Sequence, residues 1–572
     1  SAPASVGIEV GNDSRLGLNT GSMTFSADDS VGIRGGERAL IVNELGASLQ
    51  MDGQASIGLE GGGGGENVNA GSLVLTGADA RGLVGADGSA QAPTFFDNEA
   101  DGEIDAQGAR AVGIDFGLFA EGENAGHLTV QGEDSIGIRA GADSIVRNSG
   151  VVGVAGAGSI GVSVGTHSDA LQSSFINVAE SETEAGGSLV SNDPAAGALV
   201  LMSESAAGAE SRVENQRGAS ILADLTDLAD PARAIAIQGS AGDDAVVNAG
   251  LIRGKILLGD GDDRYVAKPG AQLFDLAEPA LDGGAGSDTI ELTASGADVG
   301  DFDASRIQNF ESIRVTSGQW QLTAPAAVST PVVVARDGIL LVAQPTEING
   351  SYAHAPPPLV PQPGDPEPTL RTLLSADTAG TPLLQTTGAA TLSDGILDIV
   401  VGGGFRGDTE FTLLRANGGL VDEFDRVQLN PDPDLSLGEP IYSADEVRIS
   451  VSVTGYSDNQ WAMSQAVTGL SGSGIDPELQ GLIDQVEALD FRSYLNAMNE
   501  LSPEAYDAQA QATFELGNRF VQLMLERPRF CLARPGEDNR DPHTGIPCRA
   551  HEFEPWLTTY GQFSHRDGGA DH

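Results

Sequence analysis

Basic residues are in short supply in this chain. Lysine and arginine total 30 against 82 aspartates and glutamates, for a formal charge of −52 at pH 7, and the only lysines are Lys255 and Lys268. A nucleic-acid partner needs a basic stripe that displaces counterions, so that class is excluded. The same charge repels an anionic membrane surface, while it suits solubility and the binding of divalent cations. Long apolar runs are missing too: no stretch of 18 apolar residues occurs, so no transmembrane helix is encoded. The chain as given opens at Ser1 without Met and without a basic-then-apolar segment, which raises the expectation of an exported chain whose signal peptide has been removed. Cysteine is nearly absent. Cys531 and Cys548 stand in no metal-ligand spacing; a disulfide closing one loop fits an oxidising compartment, and two free thiols are the alternative.

What is abundant is glycine, 77 of 572 residues, and it recurs at regular intervals. An Asn lies shortly before a Gly; alternating residues follow, then a small residue and Val/Ile-Gly-Ile/Leu. Asn19-Thr-Gly21 leads to Val31-Gly32-Ile33, Asn43 and Gly46 lead to Ile57-Gly58-Leu59, and Asn69-Ala-Gly71 leads to Arg81-Gly82-Leu83. Gly102, Asn124-Ala-Gly126 and Asn148-Ser-Gly150 open three more copies, ending at Gly113, Gly137 and Gly161. The interval between opening glycines is nearly constant, stretched only between Gly71 and Gly102, and the closing glycine follows at an almost fixed distance in every copy. Within each unit the period is two, as in Ser72-Leu73-Val74-Leu75, the mark of short strands bounded by turns. One such strand cannot bury its apolar face alone. Coiling the chain lets each turn stack on the last, with every backbone N–H meeting a carbonyl one turn away. The repeat predicts an all-β, right-handed parallel β-solenoid. Its corners are expected to use glycine for φ > 0 and for close approach, and stacked asparagines are expected to hydrogen-bond between turns. The segment 166–197, rich in Ser, Glu and Ala, is expected to bulge out as side loops.

From 239 to 292 the turns become acidic. Gly283-Gly284-Ala285-Gly286-Ser287-Asp288-Thr289-Ile290-Glu291 fits G-G-x-G-x-D-x-U-x and resembles the calcium-binding repeat of RTX proteins, with weaker copies around Gly259-Asp260-Gly261-Asp262-Asp263 and Gly239–Asp244. Calcium needs six to eight oxygens, so a site would take two facing turns. The steps from Asp244 to Asp263 and from Asp263 to Asp288 are each about the length of one solenoid turn, which would set the three in register on successive turns. Two readings stand: calcium held by Asp244, Asp260, Asp263 and Asp288, or plain corner turns whose aspartates face water.

Strand signals run on to about 350, and seven prolines between Pro356 and Pro368 mark a linker or surface loop. Strands with tight turns follow, at Gly395–Ile399 and Thr409–Ala416. Leu479, Leu482, Ile483, Val486 and Leu489 have helical spacing, and Leu501-Ser502-Pro503-Glu504-Ala505 reads as a capped helix start. Trp556-Leu557-Thr558-Thr559-Tyr560-Gly561-Gln562-Phe563 alternates like a barrel strand. This order resembles the monomeric autotransporters of type V secretion in Gram-negative bacteria, most specifically from 395 to 563. The resemblance implies a β-solenoid passenger over 1–350, a Pro-rich loop over 351–370, an autochaperone-like cap over 371–455, a helical linker over 456–530 and the start of a translocator barrel over 531–572. Residues 529–572 cannot close a barrel, so the chain is expected to be a fragment, a processed product or a truncation.

A search for chemistry finds neither G-x-S-x-G nor His-Glu-x-x-His. His167 sits in a segment patterned like the His segment of subtilases, but no Ser partner segment accompanies it. Arg406-Gly407-Asp408 permits an integrin-binding reading beside a turn reading. The expectation is therefore a non-enzymatic passenger on the cell outer membrane or released. It would act in adhesion, aggregation or biofilm through host or bacterial cell-surface ligands, and be exported through its own barrel with the barrel-assembly machinery, as a monomer or by self-association between cells. The alternatives are a β-helical polysaccharide lyase or hydrolase and a passive acidic coat.

Overall fold

The computed structural model describes residues 4–165, 175–179, 186–193, 195–202, 210–225, 234–273, 280–296, 298–324, 327–355, 366–401, 409–429, 435–453, 456–470, 477–487, 489, 491–501, 513 and 516. Each turn of chain lays down three short strands on three faces. Val31–Gly35, Leu40–Asn43 and Ser48–Met51 form one turn, and Ile57–Gly61, Glu66–Asn69 and Ser72–Leu75 form the next. Strands pair in parallel with their equivalents one turn away, giving a 12-stranded first face from Val6–Val10 to Ile307–Gln308 and a 10-stranded third face from Ser22–Phe25 to Gln272–Leu273. The chain is a parallel β-solenoid. Twelve strands at a spacing of about 4.8 Å make the first face roughly 50 Å long.

Alternation sets which residues fill the interior. In the second-face strand Leu40–Asn43, Ile41 and Asn43 point inward and Leu40 and Val42 outward. On the first face Ile33, Leu59, Leu83, Ile114, Ile138 and Val162 pair in register from turn to turn and are fully buried. A fully buried aliphatic of this size contributes roughly 1.5–3 kcal/mol. Repetition of one register therefore turns a short local pattern into a continuous core.

The polar counterpart is a column of asparagines. Asn19 donates from Nδ2 to Asn43 Oδ1 at 2.8 Å, and Asn43 donates to Asn69 at 2.8 Å. The chain of amides continues through Asn98, Asn124, Asn148, Asn177, Asn215 and Asn248 at 2.7–3.0 Å. All nine are buried. Neutral amides both donate and accept, so each rung satisfies the next without placing charge in the core. At the lower end Asn248 donates to the Tyr265 hydroxyl at 3.0 Å, because Ala267 occupies the next position in the column. The expected stacking of asparagines is present, and Asn98 fills the rung that the Gly102 repeat lacks at its usual spacing.

The repeated glycines have a narrower reason than expected. None of Gly32, Gly58, Gly82, Gly113, Gly137 and Gly161 has positive φ. They are needed for close approach, since a Cβ on Gly32 would sit 2.6 Å from the Gly58 carbonyl oxygen and one on Gly113 2.8 Å from that of Gly137. The left-handed corner falls to other residue types, in the column Asp29, Ala55, Asp79, Arg110 and Asp134, with φ of 52–58°. Each donates its N–H to a carbonyl on the following turn at 2.8–2.9 Å. Asp tolerates this conformation because its short polar side chain bonds locally. Arg110 is held there by its ion pair with Asp79, one turn back, at 2.7 Å.

Two expectations about extent are revised. Within 166–197, Phe175–Asn177 and Ser188–Ser191 are ladder strands, not side loops, because Phe175 is fully buried and Asn177 is a rung of the amide column. The parallel ladder also runs past residue 350: Thr369–Leu374 stacks on Val332–Val342, Ile396–Val401 on Thr369–Leu374, and Arg426–Leu429 on Ile396–Val401. Among the described strands, antiparallel pairing begins where Glu446–Val453 lies against Thr409–Ala416 and Leu435–Leu437. Three helices follow among the described residues, Asp458–Leu470, Pro477–Glu487 and Phe491–Leu501. They share a small core of Val467, Ile483, Tyr494 and Met498. Of the predicted stripe, Leu479, Leu482, Ile483 and Val486 lie on the middle helix and Leu489 falls beyond its end, and the proposed helix start at Ser502 and the Trp556 strand lie outside the described residues.

Replacing Asn124 by Ala strands the Asn98 amide and the Asn148 carbonyl in the core, and is expected to lower unfolding stability by roughly 2–4 kcal/mol in a urea titration. Gly113→Ala is expected to cost about 1–3 kcal/mol by overpacking. The control is Gly153→Ala, where a new Cβ meets nothing nearer than 4.0 Å, with an expected change between zero and a gain of about 1 kcal/mol.

Candidate functional site

Below Asn215 the corner between the first and second faces changes chemistry. The turns at 239–243, 261–263 and 286–288 join strands Ile235–Gln238 to Asp244–Asn248, Lys255–Asp260 to Arg264–Ala267, and Leu281–Ala285 to Thr289–Thr293. Glycines make these turns possible: Gly259, Gly261, Gly284 and Gly286 have φ of 104–151°, and Gly261 lies directly on Gly242, where a Cβ would come within 2.6 Å of the carbonyl oxygen.

Two carboxyl columns run down this corner. In the inner one the Asp244 N–H donates to Asp263 Oδ1 at 2.7 Å, the Asp263 N–H to Asp288 Oδ1 at 2.8 Å, and the Asp288 N–H to Glu311 Oε2 at 2.5 Å. The outer column, at the surface, runs with the opposite polarity: the Asp262 N–H donates to Asp243 Oδ1 and the Ser287 N–H to Asp262 Oδ1, both on the preceding turn and both at 2.9 Å. Asp244, Asp263 and Asp288 are at most 1% exposed, so they do not face water. The spacing read from the sequence does bring these three into one column. Asp260 is not part of it; it is exposed at the end of a first-face strand and pairs in register with Ala285.

Burial dominates the electrostatics of the inner column. It pushes the Asp263 carboxyl up to about 8, opposed by the Asp244 N–H and reinforced by Asp244, Asp288 and Asp243. Burial likewise pushes Asp244 up to about 6 against donors from Ser240 and Ser211, and raises Asp288 against the Asp263 N–H, with Glu311, Asp262 and Asp282 adding to the rise. Asp263 Oδ2 and Asp288 Oδ2 have no hydrogen-bond partner. Among the described residues no three His, Cys, Asp or Glu side chains are grouped to hold a metal ion. Within each of the two columns the carboxyls stand one to a turn.

No significant match links the chain to any protein-family model, curated protein or solved structure. Function must therefore be argued from the faces themselves.

On the second face, one outward column reads Glu66, Phe95, Glu121 and the next reads Val68, Asp97, Glu123. Phe95 is 41% exposed between two carboxylates. Burial, then Glu99, Glu123 and Glu66, push Asp97 up to about 6. The sequence does not reveal this cluster, because its members are spread over three turns, from Glu66 to Glu123, and meet only through the register. His167, Arg406-Gly407-Asp408, Cys531 and Cys548 lie outside the described residues.

One further titratable group is locked inside the ladder. His354 is 4% exposed, its Nε2 pairs with the Tyr352 hydroxyl at 2.8 Å, and its ring packs 5.6 Å from that of Phe424. Burial pushes the imidazole down to about 4, against the Leu392 backbone and Asp425. The unfolded chain then takes up a proton first on acidification. The stability that neutral His354 supports is present above about pH 6.5 and is lost as the pH falls toward 4, by up to about 1.4 kcal/mol per pH unit. His354→Gln is expected to flatten this acid limb when urea midpoints are compared from pH 7 to 4.

Proposed function

We propose that the chain is the passenger of an autotransporter, a rod that works by presenting its faces to host or bacterial cell-surface ligands in adhesion, aggregation or biofilm formation. In this reading it reaches the cell surface through the outer-membrane barrel of its own full-length chain and acts there or after release. The observation that carries the proposal is the parallel ladder that runs from Val6 to Leu429 and stacks outward side chains into long columns. Columns of this kind give area and repetition, and many weak contacts along them add through multivalency. The order of solenoid, antiparallel cap and helices supports the same reading, as does a charge of −52 that keeps rods apart in solution.

A second reading rests on the Asp97 cluster. A carboxyl raised to about 6, a second carboxylate one turn away at Glu123 and an exposed aromatic at Phe95 are the parts a glycoside hydrolase uses. Release of reducing ends from surface glycans, abolished in Asp97→Asn, would establish it.

The adhesion reading is tested with beads coated with the full chain and offered to the producing bacterium and to epithelial cells, in calcium and in chelator. Binding in at least one buffer is expected. Absence of binding in both would move the account to the hydrolase or to a passive acidic coat, and loss of binding in chelator alone would add calcium as a cofactor of adhesion.

A further inference from the structure

The outward side of the second face is not uniformly acidic. Alternation directs Leu18, in the strand Gly17–Asn19, and Leu40 and Val42, one turn down, away from the core. Leu16, just before that first strand, is 52% exposed, and Leu18, Leu40 and Val42 are half-buried. Register carries the two columns on: Leu40 is followed by Glu66, Phe95 and Glu121, and Val42 by Val68, Asp97 and Glu123. Among the described residues before 299, five large apolar side chains stand exposed: Val6, Leu16, Leu45, Phe95 and Leu118. All but Val6 lie on this face or at the corners that bound it. Single exposed aliphatics need no explanation, but a contiguous set on one face does.

The surface is also held in place. The corner before Thr94–Asn98 is lengthened to residues 86–93, and it reaches down to the next turn. Asp87 accepts the Leu118 N–H at 2.8 Å and Gly88 donates to the Leu118 carbonyl at 2.8 Å, while the Leu118 side chain stays 43% exposed. Phe119 follows at a φ of 54°, a conformation that bulky residues avoid. Beneath the face the amide column ties each strand to the next. A preformed surface of this kind loses little freedom on binding.

Charge is graded along the same columns. The first two turns are apolar at Leu18, Leu40 and Val42, Phe95 stands at the boundary, and Asp97, Glu121 and Glu123 follow. The charges that act on Asp97 are Glu99, Glu123 and Glu66, all of its own sign. The bordering cations are few: Arg15 beside Leu16, Arg38 tied to Asp13 at 2.6 Å, and Arg147 below Glu123.

We propose that the second face between Leu16 and Glu123 is a docking surface for a cationic amphipathic polypeptide segment, with aliphatic or aromatic side chains over the Leu18, Leu40 and Val42 end and Lys or Arg over the Asp97, Glu121 and Glu123 end. Charge complementarity selects this partner. A second copy would set the same carboxylates against each other under a charge of −52 on each chain, and an anionic membrane is repelled in the same way. Five turns at a spacing of about 4.8 Å give a length of roughly 19 Å, which about 13 residues of helix would span. The inference rests on the adhesion reading, of which it names the partner class.

Its test is fluorescence anisotropy of the full chain with two labelled peptides of about 13 residues, one with leucines in one half and lysines in the other, and one with serines in place of the leucines. The second measures attraction by overall charge alone. The Leu/Lys peptide is expected to bind saturably and at least about tenfold more tightly. Phe95→Ala is expected to weaken the Leu/Lys peptide by about tenfold and leave the Ser/Lys peptide unchanged. Glu121→Gln combined with Glu123→Gln should reduce the salt dependence of binding, whereas Glu103→Gln, on the third face, should not. A photoreactive Leu/Lys peptide should cross-link the unaltered chain within 16–45 and 94–123, a reading that does not depend on any variant folding. Equal binding of both peptides, cross-links confined to other faces, preferential binding of neutral phosphatidylcholine vesicles, or dimerisation that Leu16→Ser abolishes would each overturn the proposal. Beads carrying Phe95→Ala separate the two levels of the account. If they bind cells as well as native beads do, the docking surface is wrong and adhesion stands. If native beads bind no cells while the Leu/Lys peptide binds as expected, adhesion is wrong and the docking surface stands.

Discussion

Everything in this rod depends on one constraint: the backbone of each turn takes its hydrogen bonds from the turn beside it. Parallel pairing at a fixed spacing leaves no freedom to slip, because a shift of one residue would turn every interior side chain outward. It also forces equivalent residues into columns, so that whatever chemistry one position carries is repeated along the axis. Aliphatics in a column make a core, amides make a ladder, and carboxyls make an electrostatic problem. The Asn19-to-Asn248 stack and the Asp244-to-Glu311 stack are two answers to the same geometric demand.

The contrast between these stacks locates the place where the rod departs from regularity. Along the amide column stability is insensitive to pH, since asparagine does not titrate. In the acidic segment three buried carboxyls lie on consecutive turns, the turns are drawn in tightly over glycines, and Tyr265 replaces the missing asparagine rung. Farther along, His354 is buried with the opposite preference for its proton. The polar groups buried along the rod therefore differ from segment to segment even though its backbone pattern does not.

Much of this architecture is legible in the sequence, because the pattern that encodes it is local. The recurring glycine interval, the period-two strands and the Asn-x-Gly corners state the turn length, the faces and the amide column directly. What is not legible is anything that depends on register between turns of unequal length. Asn98 is hidden by the insertion that lengthens its unit, Phe175 and Asn177 by the polar segment around them, and the Phe95 cluster by the distance along the chain between its members. The glycine of Val-Gly-Ile reads equally well as a left-handed corner or as a close approach, and only the neighbouring carbonyl decides between them. For the acidic turns, spacing gives the alignment of Asp244, Asp263 and Asp288, but burial and the outward position of Asp260 come from the corner geometry.

The central claim is that a buried, continuous side-chain column ties the turns of the rod together. It is tested most directly by the exchange of asparagine side-chain Nδ2 protons in protein labelled selectively with 15N-asparagine. The account predicts that Asn43, Asn69, Asn98, Asn124, Asn148, Asn177 and Asn215, each bonded on both sides, exchange far more slowly than the exposed Asn12 and Asn417. Side-chain amides of the column that exchange as fast as those at the surface would contradict it.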